Sequence, residues 1–389
     1  MSNTPQHLAS IYQRELLDEV IPFWQKYSPD SEFGGYMTCL DRFGKVYDTE
    51  KYTWLQGRQV WMFAKLYNEV EKRSDWLEMA KLGVDFLTRY GRDADGNYYY
   101  ALTRAGKPLM QPFSIFSDGF VAMGLSQYAI ATGDEHVQLL ASQAFNNYLC
   151  RQCNPKGPYN KSCSGGSPLM ALSLRMIHLN MLLEMAWQLD SKDVKSQVNQ
   201  LLDEVMTVFL DAEKNVLFEN VAPDGSHPDT PAGRLINPGH GLEVLWMVLA
   251  VAERHGRKDL IPRAVEAIIS TIDYGWDDEF GGILYRRDSL GKPLYQIEWD
   301  QKMWWAHAES LVALALAYRL TKREDCWNWL VKLHEYVWSH YRDQEQGEWF
   351  GYVNRRGEVL LNLKGGRWKG CFHVPRALLF VSDYLSESE

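Results

Sequence analysis

The sequence predicts an all-α fold, an (α/α)6 barrel: a toroid of six helical hairpins in two concentric rings, with short β-hairpins in the loops at one end. Three observations point to it: a glycine-marked repeat of about 65 residues, an aspartate-marked repeat of similar period, and two kinds of helix in each period. Gly44, Gly106, Gly225, Gly291 and Gly357 close turns after short apolar strands, as in RFGK (42–45), RAGK (104–107), SLGK (289–292) and RRGE (355–358). They are separated by 62, 119, 66 and 66 residues, and 119 is close to two periods, so one copy is irregular rather than missing.

Asp75, Asp134, Asp193, Asp259 and Asp325, spaced by 59, 59, 66 and 66 residues, each stand before an amphipathic helix. A carboxylate there is expected to cap the free N–H groups of the first turn.

One helix of each period is amphipathic, such as 76–90 with apolar or small residues at 76, 80, 83, 84 and 87, and suits an outer ring. The other is apolar nearly all round: 59–67, 119–131, 169–187, 242–252, 310–318 and 374–385. A helix without a polar face must be enclosed on both sides. The amphipathic stretch 7–26 completes the outer ring beside the last inner helix, giving one closed domain over residues 1–389. An open superhelix of helix pairs is the alternative, but its repeats are usually shorter and lack strand–turn units.

Composition narrows the class of ligand. Apolar residues at 46% and charged residues at 23% rule out a disordered chain. A net charge of −9 opposes nucleic-acid binding, which needs a basic surface. The 15 Trp, 21 Tyr and 15 Phe suit a cleft for an uncharged, flat-faced ligand such as a sugar, although most are expected to pack the rings. No apolar run reaches the ~18 residues of a membrane span. The opening MSNTPQHLAS has no basic segment leading into an apolar run, so a cytoplasmic protein is expected. Cys150 and Cys153 form a lone C-x-x-C with no second ligand pair, and the six cysteines read as free thiols.

The repeat also selects candidate site residues. In a barrel of helix pairs the inner-helix starts rim one opening, so corresponding positions converge. Aligning TWLQGRQVW (53–61), NPGHGLEVLW (237–246), WWAHAESLV (304–312) and GCFHVPRAL (370–378) puts His240, His307 and His373 at one phase. Arg58 and Glu309 share a second. Titratable groups at the entry of apolar helices are costly to desolvate unless paired or functional. Two histidines on opposite faces of a substrate can remove a proton from one side and return one to the other. Arg58 would stabilise an enolate oxygen, and Glu309 would position a hydroxyl or orient a histidine. Glycoside hydrolysis by two carboxylates is the competing chemistry, with Asp118, Asp278, Asp300 and Glu309 as candidates, but the repeat brings no two of them together.

The segments QGR around Arg58, NPGHGLE around His240, W-x-HAES around Glu309 and KGCFHVPR around His373 resemble the N-acylglucosamine 2-epimerase family, which includes the animal renin-binding protein. The resemblance runs the length of the chain. It implies a homodimeric (α/α)6 barrel that interconverts N-acetylglucosamine and N-acetylmannosamine. It implies as well that no metal or chemically required cofactor takes part and that ATP or another nucleotide acts as an allosteric activator. It implies that His240 and His373 are the two bases and that Arg58 and Glu309 are essential in the pocket. Arg376, Trp304 and Lys302 are expected at the substrate; His307 is expected to support its neighbours. Cellobiose epimerases and aldose–ketose isomerases carry an Asn/His pair on the third inner helix. Here Met176, Ile177 and Met181 stand in that stretch, which disfavours those relatives. The irregular third repeat holds NPKGPYNK (154–161) followed by Ser164, Gly165 and Gly166, and Lys161 is the expected contact for the nucleotide. A protein that keeps the barrel only for interaction is the non-catalytic alternative; the presence of both His240 and His373 argues against it.

Overall fold

The computed structural model describes residues 4–161, 169–185, 187 and 191–387. The chain opens with α1 (Pro5–Arg14), a π-helical turn over Glu15–Val20 and α2 (Ile21–Tyr27). Pro22 explains the π turn: its ring lacks an N–H and collides with the carbonyl four residues back, so the helix widens just before it. Inner and outer helices then alternate: α3 (Thr53–Glu69), α4 (Ser74–Tyr90), α5 (Ile115–Thr132), α6 (Glu135–Cys150), α7 (Leu172–Met185) and α8 (Ser191–Glu204). They continue as α9 (Pro238–His255), α10 (Ile261–Gly275), α11 (Trp304–Thr321), α12 (Glu324–His340) and α13 (His373–Ser386).

The odd-numbered helices from α3 to α13 form the inner ring, each against the next. Trp61 closes the ring, meeting Phe372 and Phe380 of the last repeat at 5.3 and 6.4 Å between ring centroids. α1 packs on α13, as the outer position of residues 7–26 requires. At Gly57 and Gly124 the backbones of α3 and α5 approach so closely that a Cβ on either would lie within 2.6 Å of a carbonyl oxygen. No helix among the described residues is long and apolar enough to cross a membrane.

The loop units differ from expectation in two respects. The hairpin around Gly106 is formed by Ala101–Leu102 and Pro108–Met110, whereas other local hairpins shrink to single bridges such as Pro29–Tyr36, Leu210–Leu217, Trp276–Ile283 and Arg342–Trp349. The longer pairings stitch neighbouring repeats together: Lys51–Tyr52 with Ala101–Leu102, Met170–Ala171 with Asn220–Val221, Leu235–Ile236 with Arg287–Asp288, and Lys302–Met303 with Tyr352–Val353. Each pairing holds the strand that feeds an inner helix, so the rim of the barrel is fixed by backbone hydrogen bonds.

Of the aspartates expected to cap outer helices, Asp134 stands at the N-cap itself, accepting the N–H groups of His136 and Val137, while Asp193 lies inside the first turn of α8 and Asp325 accepts the N–H of Cys326 from within the first turn of α12. Asp75 and Asp325 lie inside the first turn and Asp259 in the short helical turn before α10; each is gripped by the arginine two residues earlier, at 2.7, 2.5 and 3.0 Å. The third repeat marker is one the turn glycines hide. Asp30, Asp93, Asp211, Asp277 and Asp343, spaced by 63, 118, 66 and 66, each accept the N–H two residues on and shape the turn after an outer helix.

Candidate active site

The inner helices build the site in two tiers, read off by counting from each helix start. The second residues of α3, α5, α7 and α11 are Trp54, Phe116, Ser173 and Trp305, and all four line one cavity of about 730 Å³. Four residues further in, about one helical turn, stand Arg58, Phe120, Ile177 and, on α9, Glu243; these line the floor of the same cavity. Glu309 is the sixth residue of α11 and lies just beneath. His240 and His373 complete the ring from the first turns of α9 and α13. Ten aromatic side chains line the cavity.

The two histidines are held in opposite electrical settings. His240 follows the N-cap Asn237, whose side chain accepts its backbone N–H, and its Nδ1 lies 2.9 Å from the carboxylate of Glu219. Burial disfavours the imidazolium, but Glu219 outweighs it and raises the pKa above the ordinary histidine value. His373 turns Nδ1 to Oε1 of Glu309 at 2.6 Å, while Nη1 of Arg58 donates to Nε2 at 3.3 Å. Burial dominates there; with Arg58 and Arg376 beside it, its pKa is pressed to about 3 despite Glu309. His373 is therefore neutral with Nδ1–H donated to Glu309, and its Nε2 lone pair is directed toward Arg58. The ring of Trp305 lies near both histidines, 4.9 Å from His240 and 6.2 Å from His373.

Arg58 is clamped between Trp54, Phe120 and Phe372, its guanidinium carbon 4.5, 3.9 and 4.4 Å from their centroids, and its buried Nε has no partner among the described residues. Burial and the charge of Arg376 lower its pKa to about 9. Glu309 also accepts from Arg376 (2.7 Å) and Trp246 (2.8 Å). Burial would raise its pKa, but Arg376 and His373 keep it below the usual carboxylate range. Burial and the neighbouring Glu309 push Glu243 up instead. Glu243, Glu309 and His373 converge within 4.8 Å, as a metal-ligand set would, but the guanidinium of Arg376 bridges the two carboxylates and is the cation there.

Several expectations are corrected by this geometry. Arg376 is absent from the cavity lining: it is buried and pairs with Glu243 and with Glu309, the acid that orients His373. Lys302 is also enclosed, bonded to Asp277 (3.3 Å) and to the carbonyl of Arg355, because it belongs to the strand that feeds α11. Trp304 borders the cavity as expected while packing edge-on against Tyr352, and its neighbour Trp305 is the tryptophan near both histidines. His307 shares a sequence phase with the other two but stands one residue deeper in its helix than His240, a rotation of about 100°. It is buried against Met303 and Ile283, donating from Nδ1 and accepting at Nε2, and burial lowers its pKa to about 3. Lys161 is exposed and does not line this cavity; Ser164, Gly165 and Gly166 lie outside the described residues. Asp118, Asp278 and Asp300 are also absent from its lining, and Asp118 is tied to Arg151 and the Tyr98 N–H.

Sequence reasoning missed Glu219, Glu243 and Trp305. Glu243 and Trp305 carry a signal, since they occupy the sixth and second positions that recur around the ring. Glu219 stands in a loop, and its backbone ties it to two inner-helix entries: its N–H donates to the Leu235 carbonyl on the strand that feeds α9, and its carbonyl accepts from Leu172 at the start of α7, which sets its carboxylate against His240.

A six-hairpin barrel whose aromatic cleft is bordered by two histidines and a buried arginine is the arrangement of a sugar-epimerase type of protein. The N-acylglucosamine 2-epimerase (GlcNAc 2-epimerase) family model matches residues 35–377, and the chain belongs to that family. It is 36% identical to the N-acylglucosamine 2-epimerase of Mus musculus, covering 95% of this chain and 90% of the relative. The Homo sapiens enzyme of the same name is 35% identical, with 95% and 88% covered. Among solved structures, a cellobiose 2-epimerase from Bacillus thermoamylovorans superposes with a TM-score of 0.83 at 20% identity, covering 96% of this chain and 98% of the other, and shares the fold.

Proposed function

We propose that this protein interconverts N-acetyl-D-glucosamine and N-acetyl-D-mannosamine by two-base proton transfer at C2. The observation that carries the reading is the opposed protonation of the two histidines across one cavity: His373 neutral, His240 biased toward its charged form. The pyranose must open first, because only the free aldehyde lets C2 lose a proton to form an enolate. In the direction that begins at His373, Nε2 takes the C2 proton, and Arg58 shifts its N–H from Nε2 to the oxygen on C1. His240, kept protonated by Glu219, then delivers a proton to the opposite face. The acylamino nitrogen cannot become a ketose carbonyl, so reprotonation at C2 yields the epimer. The return direction uses the same two rings with roles exchanged.

The reading includes a homodimer and a nucleotide that activates without reacting, with Lys161 at its site; both rest on the family. Sedimentation tests the first, and unchanged ATP activation in Lys161→Ala would remove that residue from the second. The central test is proton NMR of N-acetyl-D-mannosamine with the protein in deuterated water. Conversion with deuterium gained at C2 is expected; absence of turnover with and without ATP overturns the function.

A further inference from the structure

The cavity floor changes character around the ring, and that asymmetry bears on the substituent at C2. Going round from Arg58, the floor presents Phe120 and Ile177 and then Glu243, with Met176 beside Ile177 on α7. Met176 and Ile177 are nearly fully enclosed yet border the cavity. Above this wall the neutral hydroxyls of Ser114 and Ser173 border the cavity, while its charged groups away from the floor lie elsewhere: Glu219 beside His240, and Arg286 and Glu298 in the segment between α10 and α11. Once the two histidines take the faces of C2 and Arg58 the oxygen of C1, two substituents of C2 remain in the plane: the hydroxylated chain from C3 and the acylamino group. The hydroxylated chain gains hydrogen bonds at Arg286 and Glu298 and loses them on the apolar wall. The acyl chain gains apolar contact on that wall, and Phe120 lies only 3.9 Å from the Arg58 guanidinium that reaches His373.

We propose that Phe120, Met176 and Ile177 form the acyl subsite, so that side-chain volume at 176 and 177 sets the length of acyl group the enzyme accepts. The proposal rests on the epimerase reading above.

The test compares kcat/KM for N-acetyl-D-mannosamine and N-butanoyl-D-mannosamine, in the wild type and in Ile177→Ala and Met176→Ala. Trimming the wall is expected to raise the butanoyl-to-acetyl ratio about tenfold, the discrimination typical of one or two methylenes in an apolar pocket. Glu298→Gln, on the polar side, is expected to leave that ratio unchanged. Should Ile177→Ala not fold, Ile177→Val removes a single methylene and is expected to raise the ratio about threefold. An unchanged ratio in variants that still turn over the acetyl sugar overturns the subsite alone, as does a rise confined to Glu298→Gln. A wild type that exchanges no C2 proton with either sugar overturns the epimerase reading, and the subsite falls with it.

Discussion

Nδ1 of His373 lies 2.6 Å from Oε1 of Glu309, an oxygen that also accepts from Arg376 at 2.7 Å. One buried carboxylate oxygen thereby fixes the histidine tautomer and anchors the arginine that bridges to Glu243. Glu309→Gln keeps the shape and removes the charge. Its kcat is expected to fall on the order of 10²-fold or more with KM little changed, because His373 loses the partner that fixes its tautomer. The same change leaves Arg376 underpaired, so thermal unfolding should show a loss of about 3 kcal/mol.

Glu219→Gln separates positioning from packing through its pH profile. Turnover requires one proton on the histidine pair, and near neutrality that proton resides on His240 because His373 holds none above about pH 3. Activity is therefore level below the raised pKa of His240 and falls as pH rises through it. The equilibrium between two neutral sugars does not vary with pH, so kcat/KM in both directions must share this limb. Removing the Glu219 charge leaves burial dominant, lowers the His240 pKa and moves the limb to lower pH. An alkaline limb that stays in place would show that another group controls it.

His240→Ala and His373→Ala are each expected to reduce net epimerisation on the order of 10³-fold while circular dichroism stays unchanged. Each variant retains one base on one face. In deuterated water each should exchange the C2 proton of only one epimer, and the two variants should choose different epimers. Exchange of both epimers by either variant would exclude the facing-base geometry.

Arg58→Lys retains a positive charge but loses the planar group that fills the slot between Trp54, Phe120 and Phe372. A point charge on a flexible stem cannot stack there or hold a fixed direction toward the enolate oxygen. A loss of about 10²-fold in kcat is expected, with a smaller effect on KM, measured under saturating sugar.

Lys302→Met tests the relocation of this residue from the substrate to the framework. With Lys302 buried against Asp277, the substitution should cost about 3 kcal/mol of stability by leaving a buried charge with less compensation. KM for sugar should stay within twofold; a large rise in KM with unchanged stability would restore it to the binding site.

The six-hairpin barrel was legible in the chain because it is periodic, and periodicity survives without coordinates. Apolar helices at every second position can only be enclosed, and turn glycines at 66-residue spacing can only mark one repeated unit. The histidines at 240 and 373 and the arginine at 58 were legible for the same reason, since the start of each inner helix faces one opening. Rotation about each helix axis was not. His240 and His307 align in sequence, yet one residue of difference in where the helices begin turns one into the cavity and the other into the wall. Arg376 and Lys302 look like cations at the mouth until packing encloses them against Glu243, Glu309 and Asp277. Glu219 depended on tertiary structure altogether, because backbone hydrogen bonds to Leu235 and Leu172, from two different repeats, are what bring it to His240. The sequence by itself determined which helices face inward and which residue types reach the rim. Tertiary structure decided which of those groups meet, and so which histidine is neutral and which is charged, because a pKa answers to burial and neighbouring charge rather than to residue type.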